Sequence, residues 1–291
     1  MTDDPFVTHR SLLFTVAYEM LGSAADAEDV VQEAWLRWAD IDKGKVGDPR
    51  AYLVRIVTRQ ALNRLRTLVR QREEYVGEWL PEPLRTSPDV AEDVELAESV
   101  SIAMLTVLES LGPTERAVFV LREVFEAPYD EIAYALEKSP AAVRQIAHRA
   151  REHVAARRPR MDVNHTEQQS AVERFRSAVE TGDLQGLLDV LAPDVVMIAD
   201  GGGLVPAIPR PLEGAERVAR ILAGVARVAP EARIGTVWLN GAPALRIDID
   251  GELSAAVSLA FDAGRVTRIY GIRNPHKLAR LGTSMRLSRA H

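Results

Sequence analysis

Seven arginines fall within residues 48–72, DPRAYLVRIVTRQALNRLRTLVRQR, and after Asp48 this stretch holds no acidic residue. Such side chains bind anions and make no bonds. At about 100° per residue, Leu53, Val54, Val57, Ala61, Leu65 and Leu68 share one side of a helix, and Arg55, Arg59, Arg66 and Arg70 share the other. That cationic face fits a polyanion or plain solvation, and periodicity alone leaves the two even. A second basic run, residues 144–160, has six arginines against one glutamate. Ser139 can cap a helix there with Pro140 in its first position. Its polar side then offers Arg144, Gln145, His148, Arg149 and Arg151. Arginine and glutamine reach base edges in a major groove, and further arginines hold phosphates. Between the two runs, residues 73–98 carry nine acids and one arginine. The formal net charge of -6 therefore hides segregated charge and does not exclude a nucleic-acid partner.

Groups suited to bond chemistry are sparse. With no cysteine, disulfides, thiolate metal sites and cysteine nucleophiles are excluded. The six histidines are scattered, so no metal constellation and no cofactor is expected. In ADGGGLVPAIPRP, Gly201, Gly202 and Gly203 follow Asp200 and permit left-handed or closely approaching backbone, as a turn, a ligand contact or a docking loop. No Gly-Lys-Ser/Thr ending follows, so this is not a phosphate-binding loop. Asp200, Asp248, His276 and Lys277 could meet at a cavity mouth. An enzyme would rest on Asp200 and His276, which no motif pairs. A transcription regulator with a ligand-sensing domain is the other alternative.

Helices are expected over residues 6–21 and through DAEDVVQEAWLRW, the second capped by Ser23. Its apolar stripe contains Ala27, Val30, Val31, Ala34, Trp35 and Trp38, and Asp26, Asp29, Gln32 and Glu33 lie on other faces. The loop IDKGKVGDPR precedes the arginine helix, a suitable place for unstacked bases. Trp38, Tyr52 and Trp35 are the nearby rings that could stack. Three prolines and a glycine in YVGEWLPEPLRTSP break the periodicity, and an interdomain linker over 75–98 follows. Trp79 and Leu80 are costly to expose, so the linker docks on a neighbouring domain. Helices return over 102–111, 115–124 (capped by Thr114), 129–136 and 141–155, the last two forming a helix-turn-helix. Beyond RRPRMDV come helices over 167–180, 184–191 and 214–228. A strand is expected over 194–199 and four more, in antiparallel succession, within 232–272. A curved sheet wrapped by those helices would make a small cone with a cavity. The acidic start, and the lack of any apolar run of about 18 residues, lead us to expect a soluble, cytoplasmic protein without a membrane partner.

Residues 9–158 resemble an extracytoplasmic-function sigma factor of bacterial RNA polymerase. The likeness is carried by DAEDVVQEAWLRW, DPRAYLVRIVTRQALNRLR and TERAVFVLREVFEAPYDEIAYALEKSPAAVRQIAHRAR, in that order. WLPEPL, DGGG and NPHKL resemble the subgroup with a fused C-terminal domain similar to the SnoaL-like, nuclear-transport-factor-2-like fold. Alanine and arginine richness resembles a mycobacterial or related actinobacterial member. The resemblance implies a multidomain fold: an all-α sigma region 2 bundle (1–74), a linker (75–98), an all-α region 4 helix-turn-helix (99–158) and an α+β cone-shaped SnoaL-like domain (165–286). It implies promoter-specific initiation with core RNA polymerase and promoter DNA as partners, and no catalysis by the chain itself. Regulation in cis by the tail, with no obligate separate anti-sigma factor, is implied too, and a small molecule in the C-terminal cavity is a further candidate partner. Asp26, Asp29, Val30, Gln32, Glu33, Trp35 and Leu36 would dock on the polymerase. Trp38, Arg50, Tyr52, Arg55, Arg59, Asn63, Arg64 and Arg66 would contact the -10 element. Ser139, Ala141, Arg144, Gln145, His148, Arg149 and Arg151 would read the -35 element. Trp79, Leu80 and Pro81 would meet Asp200, Gly201, Gly202, Gly203, Asn274, Pro275, His276, Lys277 and Leu278 in regulatory contacts.

Overall fold

Asp4 starts the first helix. Its carboxylate accepts from the Phe6 amide at 2.9 Å, Pro5 takes the first helical position, and α1 (Pro5–Leu21) runs until Gly22 turns left-handed. Ser23 caps α2 (Ala24–Ala39) by accepting from the Asp26 amide at 3.2 Å. The arginine helix is α3 (Pro49–Glu73). Leu53, Val57, Ala61 and Leu65 are buried on its inner side, packed with α1 and α2.

The computed structural model describes residues 4–157 and 165–289. They fall into two compact units, Met1–Glu73 with Leu105–Arg157 and Arg286–His291, and Glu74–Met104 with Arg158–Met285. The short helix α4 (Val94–Val100) belongs to the second unit, and α5 (Ile102–Leu108) leads back into the first. Next comes α6 (Pro113–Phe119), which starts at Pro113 rather than behind Thr114, because the Glu115 carboxylate accepts from the Gly112 amide at 3.3 Å. It widens into a π turn over Val120–Val124. A left-handed Glu137 ends α7 (Tyr129–Leu136), and Ser139 caps α8 (Pro140–Ala155), accepting from the Ala142 amide at 3.2 Å.

Within this unit the Glu109 carboxylate pairs with the guanidinium groups of both Arg72 and Arg116. Arg116 also donates to the Glu19 carbonyl at 2.9 Å and Arg72 to the Leu21 carbonyl at 2.6 Å. Both cations thus meet the negative end of α1. The end of α3, the end of α1 and the start of α6 are held at one buried point.

The second unit contains α9 (His165–Thr181), α10 (Leu184–Val190), β1 (Leu191–Asp200), β2 (Leu212–Glu213), α11 (Ala215–Val228), β3 (Arg233–Leu239), β4 (Ala242–Ile249), β5 (Glu252–Asp262), β6 (Arg265–Ile272) and α12 (Pro275–Leu278). The sheet order is β2-β1-β6-β5-β4-β3, and β1 lies parallel to β6 while every other pair is antiparallel. The expected cone is therefore corrected. The sheet is open, β2 and β3 are its two edges, and among the described residues no pairing joins one edge to the other. Each face is covered by a layer of its own. Phe175, Leu187, Val218 and Leu222 of the helices fill one face against Leu245, Val257, Leu259 and Ile269. Leu80, Ile102, Leu278 and Leu281 fill the other against Ala244, Ala256, Ala260 and Tyr270. Alternation along each strand produces the two faces, and the alanines of the second leave depth for a close-lying chain. The described cavities bordering the sheet measure about 20 Å³ and 290 Å³.

The linker runs through that second layer. Residues 80–84 are all buried, and Arg85 bridges antiparallel to Leu239 and parallel to Ser284. The Thr86 amide donates to the Trp238 carbonyl at 3.0 Å and the Asn240 amide to the Leu84 carbonyl at 2.9 Å. The chain so covers the β3 edge, which would otherwise expose a row of unpaired backbone groups. Gly241, at φ 73°, turns β3 into β4, and a Cβ there would come within 2.8 Å of the Ala97 Cα in α4. Leu80 is 1% exposed, so Leu80→Ala should cost the second unit about 3 kcal/mol, read as an earlier denaturant transition of the sheet. A loss below about 1 kcal/mol would mean that the linker is only laid on the sheet.

Candidate nucleic-acid interface and linker site

The acidic residues of α2 and the neighbouring part of α3 form one groove. Asp29, Val30, Gln32, Glu33 and Leu36 line it with Gln60, Asn63 and Arg64. Leu36 is 56% and Trp35 37% exposed, so two large apolar groups face outward beside acids, an arrangement suited to a protein partner. Val30 is buried beneath them. Arg64 Nε donates to Asp26 at 2.7 Å, and that hydrogen bond raises the arginine pKa, with Asp29 and Glu33 adding to it. Asn63 and Arg64, assigned to promoter contact by resemblance, thus lie with the acidic groove.

The basic side of α3 and the loop before it form a different surface. A cleft of about 680 Å³ is lined there by Asp48, Tyr52, Val54 and Arg55, together with Leu121, Ala127, Ile132 and Tyr134. Trp38 is 1% exposed. Its indole donates to Asp4 at 2.8 Å and its ring lies 6.0 Å from that of Tyr52, so here it supports the loop from beneath. Lys43 donates to the second Asp4 oxygen at 2.8 Å, and this bond holds the Asp4 carboxyl below its ordinary pKa despite partial desolvation. Arg50 and Arg59 are half-buried and Arg66 is exposed.

On α8, Val143, Ile146, Ala147, Ala150 and Val154 face the core, leaving Ser139, Ala141, Arg144, Gln145 and His148 exposed. Arg149 lies 3.7 Å from Glu115 and Arg151 3.4 Å from Glu123. The two flanking arginines therefore brace α8 through acids of α6 and its π turn, and the central face is Ala141, Arg144, Gln145 and His148.

The linker site is built on Asp200, which is fully buried. Its carboxylate accepts from Tyr75 Oη at 2.6 Å, the Leu80 amide at 2.9 Å, Lys277 Nζ at 2.6 Å and the Gly202 amide at 3.0 Å. Lys277 also donates to the Leu80 carbonyl and sits 4.0 Å from the centroid of the Trp79 ring. Asn274 donates to Tyr75 at 2.7 Å and caps α12 by accepting from the His276 amide. Burial, with Asp200 beside it, pushes the Tyr75 phenol above its ordinary pKa, so it remains a donor. A Cβ at Gly202 would come within 2.3 Å of the Asn274 amide nitrogen and 3.0 Å of Tyr75 Oη. Pro81 and Leu278 are buried around the cluster, Gly201 is buried, and Gly203, Pro275 and the His276 side chain are exposed. Asp200 and His276 thus form no catalytic pair. Among the described residues no group of three or more His, Asp and Glu side chains could hold a metal ion, and no helix is long and apolar enough to cross a membrane.

Sequence reasoning missed Tyr75, Asn240 and Glu137. Tyr75 had a signal in standing just before WLPEPL. Asn240 accepts from the Leu84 amide and donates to the Val100 carbonyl, which no local pattern announces.

An acidic groove flanked by outward apolar groups, a basic face with a cleft and a basic helix-turn-helix lie in one helical unit, a combination suited to a factor that reads nucleic acid while held by a larger protein. Residues 6–71 match Sigma-70 region 2 and residues 101–154 match Sigma-70, region 4. The chain belongs to the ECF RNA polymerase sigma factor family, and its role is to direct RNA polymerase to promoters. It is 36% identical to "ECF RNA polymerase sigma factor SigJ" of Mycobacterium tuberculosis over 94% of this chain and 91% of that protein. It is 32% identical to "Probable ECF RNA polymerase sigma factor SigI" of the same species, over 93% and 92%. The crystal structure of the M. tuberculosis SigJ protein superposes with a TM-score of 0.77 at 33% identity, covering 95% of this chain and 98% of that one.

Replacing Asp200 with alanine strands the mostly buried Lys277 cation and three further donors. A cost of about 3 kcal/mol or more is expected, with faster tryptic cleavage after Arg85. Unchanged cleavage and stability would remove Asp200 from its place at the centre of the linker site.

Proposed function

We propose that the groove of α2 docks on core RNA polymerase, that the basic face of α3 with its preceding loop takes the separated -10 strand, and that α8 reads the -35 element. Arg50, Arg55, Arg59 and Arg66 hold phosphates, and Tyr52 stacks on a base beside the cleft. Ala141, Arg144, Gln145 and His148 enter the major groove, where alanine suits a thymine methyl. Trapping a flipped base offsets its unstacking only where the base fits.

The C-terminal unit regulates this activity within the same chain. The single observation that carries this reading is the linker, whose residues 74–104 belong to the C-terminal unit and fasten to it through Asp200, Asn240 and the β3 edge. A free segment of that length reaches roughly 100 Å. By their nominal positions the -35 and -10 elements lie about 25 base pairs, or roughly 85 Å, apart on B-form DNA. Held by the tail, the linker loses most of that reach, so the tail sets how far the two DNA-reading modules separate. It takes the place a separate anti-sigma protein would have.

In vitro transcription with core polymerase tests both parts. Arg55→Glu with Arg59→Glu should lower open-complex formation at least about tenfold while leaving core binding within about twofold; equal loss of both would contradict the role given to this face. Ending the chain after Arg157 should shift promoter output strongly at matched protein levels. An unchanged promoter profile would sink regulation by the tail.

A further inference from the structure

The cationic face of α3 is already occupied in the free chain. The Arg55 guanidinium lies between two rings, 5.0 Å from the centroid of Tyr52 and 4.7 Å from that of Tyr134 on α7. One turn further on, Arg59 donates from Nε to the Ala135 carbonyl at 2.9 Å and from Nη2 to the Tyr134 carbonyl at 3.2 Å. It also pairs with Glu137 at 2.9 Å. The carbonyl end of α7 carries partial negative charge and unpaired acceptors, as a phosphate does. Glu137 adds a full negative charge, and Tyr134 presents a flat ring at the mouth of the cleft. Anion and ring are the two chemistries that a single nucleic-acid strand would bring to the same place.

We propose that α7 is an internal stand-in for the -10 strand: it occupies Arg55 and Arg59 in the free protein, and single-stranded DNA must displace it. This rests on the reading of α3 as the -10 face. Dimensions agree with it. A helical unit of roughly 130 residues is about 40 Å across, whereas the two promoter elements lie roughly 85 Å apart, so the form described here is not the promoter-engaged one. The contacts are also suited to exchange, since Tyr134 is 66% exposed and the Glu137 side chain 77%.

Tyr134→Ala tests the proposal in the full chain, because so exposed a side chain can be removed without unfolding α7. The free variant should bind a fluorescein-labelled single-stranded -10 oligonucleotide about threefold tighter than the parent, the effect of removing one ring-cation contact. The chain has no cysteine, so dyes placed by Val7→Cys and Glu152→Cys report the spacing of the two modules. Transfer between them should fall in Tyr134→Ala without DNA and in the parent once the oligonucleotide is added. Equal affinity of the two proteins, including no detectable binding by either, overturns the proposal, as does transfer that neither the substitution nor DNA changes. Failure of the -10 reading is seen separately, as normal open-complex formation by the doubly substituted Arg55→Glu, Arg59→Glu protein.

Discussion

A carboxylate with no solvent exposure must find its partners inside the protein, and Asp200 finds them on both sides of the chain. Two donors come from the linker and two from the tail. An ionised group in such a place is costly unless each lone pair is used, so the segments supplying the donors are held in one arrangement. Its own backbone carbonyl accepts from the Arg273 and Asn274 amides at 2.7 and 2.9 Å, which sets the approach to α12 and hence Lys277. The position of Leu80 on the sheet follows, because its amide and carbonyl are both engaged by this cluster. Removing the linker would therefore uncover the alanine-lined face and leave a buried charge half satisfied. The C-terminal unit is completed by residues that precede region 4 in the chain.

The same connection turns a stability element into a mechanical one. The linker leaves the helical unit after Glu73 and returns at Leu105, and the Arg72–Glu109 ion pair ties together residues just outside its two ends. The excursion is a loop closed at its base by a buried pair and fastened along its length to a sheet. Each fastening shortens the chain available for separating the DNA-reading modules. The regulation proposed above would need no ligand pocket, because it acts through the fastened linker.

Much of the helical unit could be read in the sequence because its signals are local. Ser23 and Ser139 act as caps, Gly22 as a stop, and the apolar stripes of α2, α3 and α8 face inward as their spacing requires, apart from Trp35 and Val54. In the C-terminal unit β1 and β3 to β6 were likewise visible between their turn residues, and the two-residue β2 was not. What could not be read was set by partners distant in the chain. The cone was expected because four strands in succession look the same whether a sheet closes or stays open, and the parallel β1–β6 pair joins segments about 70 residues apart. Arg64, placed with the -10 contacts only by resemblance, is drawn to the acidic groove by Asp26, 38 residues earlier. Trp38 carries the amphipathic phase of a core residue and the chemistry of a stacking ring, and Asp4 decides between them by capturing its indole N–H.

Two groups of contacts hold region 2 to region 4, and burial separates them in strength. The Arg55 and Arg59 contacts with α7 reach largely exposed groups, where an ion pair or ring contact contributes at most about 1 kcal/mol each. The Glu109 contacts are different: the Arg116 side chain is 1% exposed, and breaking a buried charged cluster costs about 3–5 kcal/mol. A DNA strand alone offers enough to exchange with the first group, since phosphates replace helix-end carbonyls one for one. It offers nothing to Glu109, which is an anion itself. Full separation of the modules must therefore draw on a larger source of binding energy, which the polymerase docking proposed for the groove of α2 would supply. On that reading opening has two stages: DNA parts α7 from α3 and so lengthens the spacing of the modules, and the span of the promoter is reached only on the enzyme.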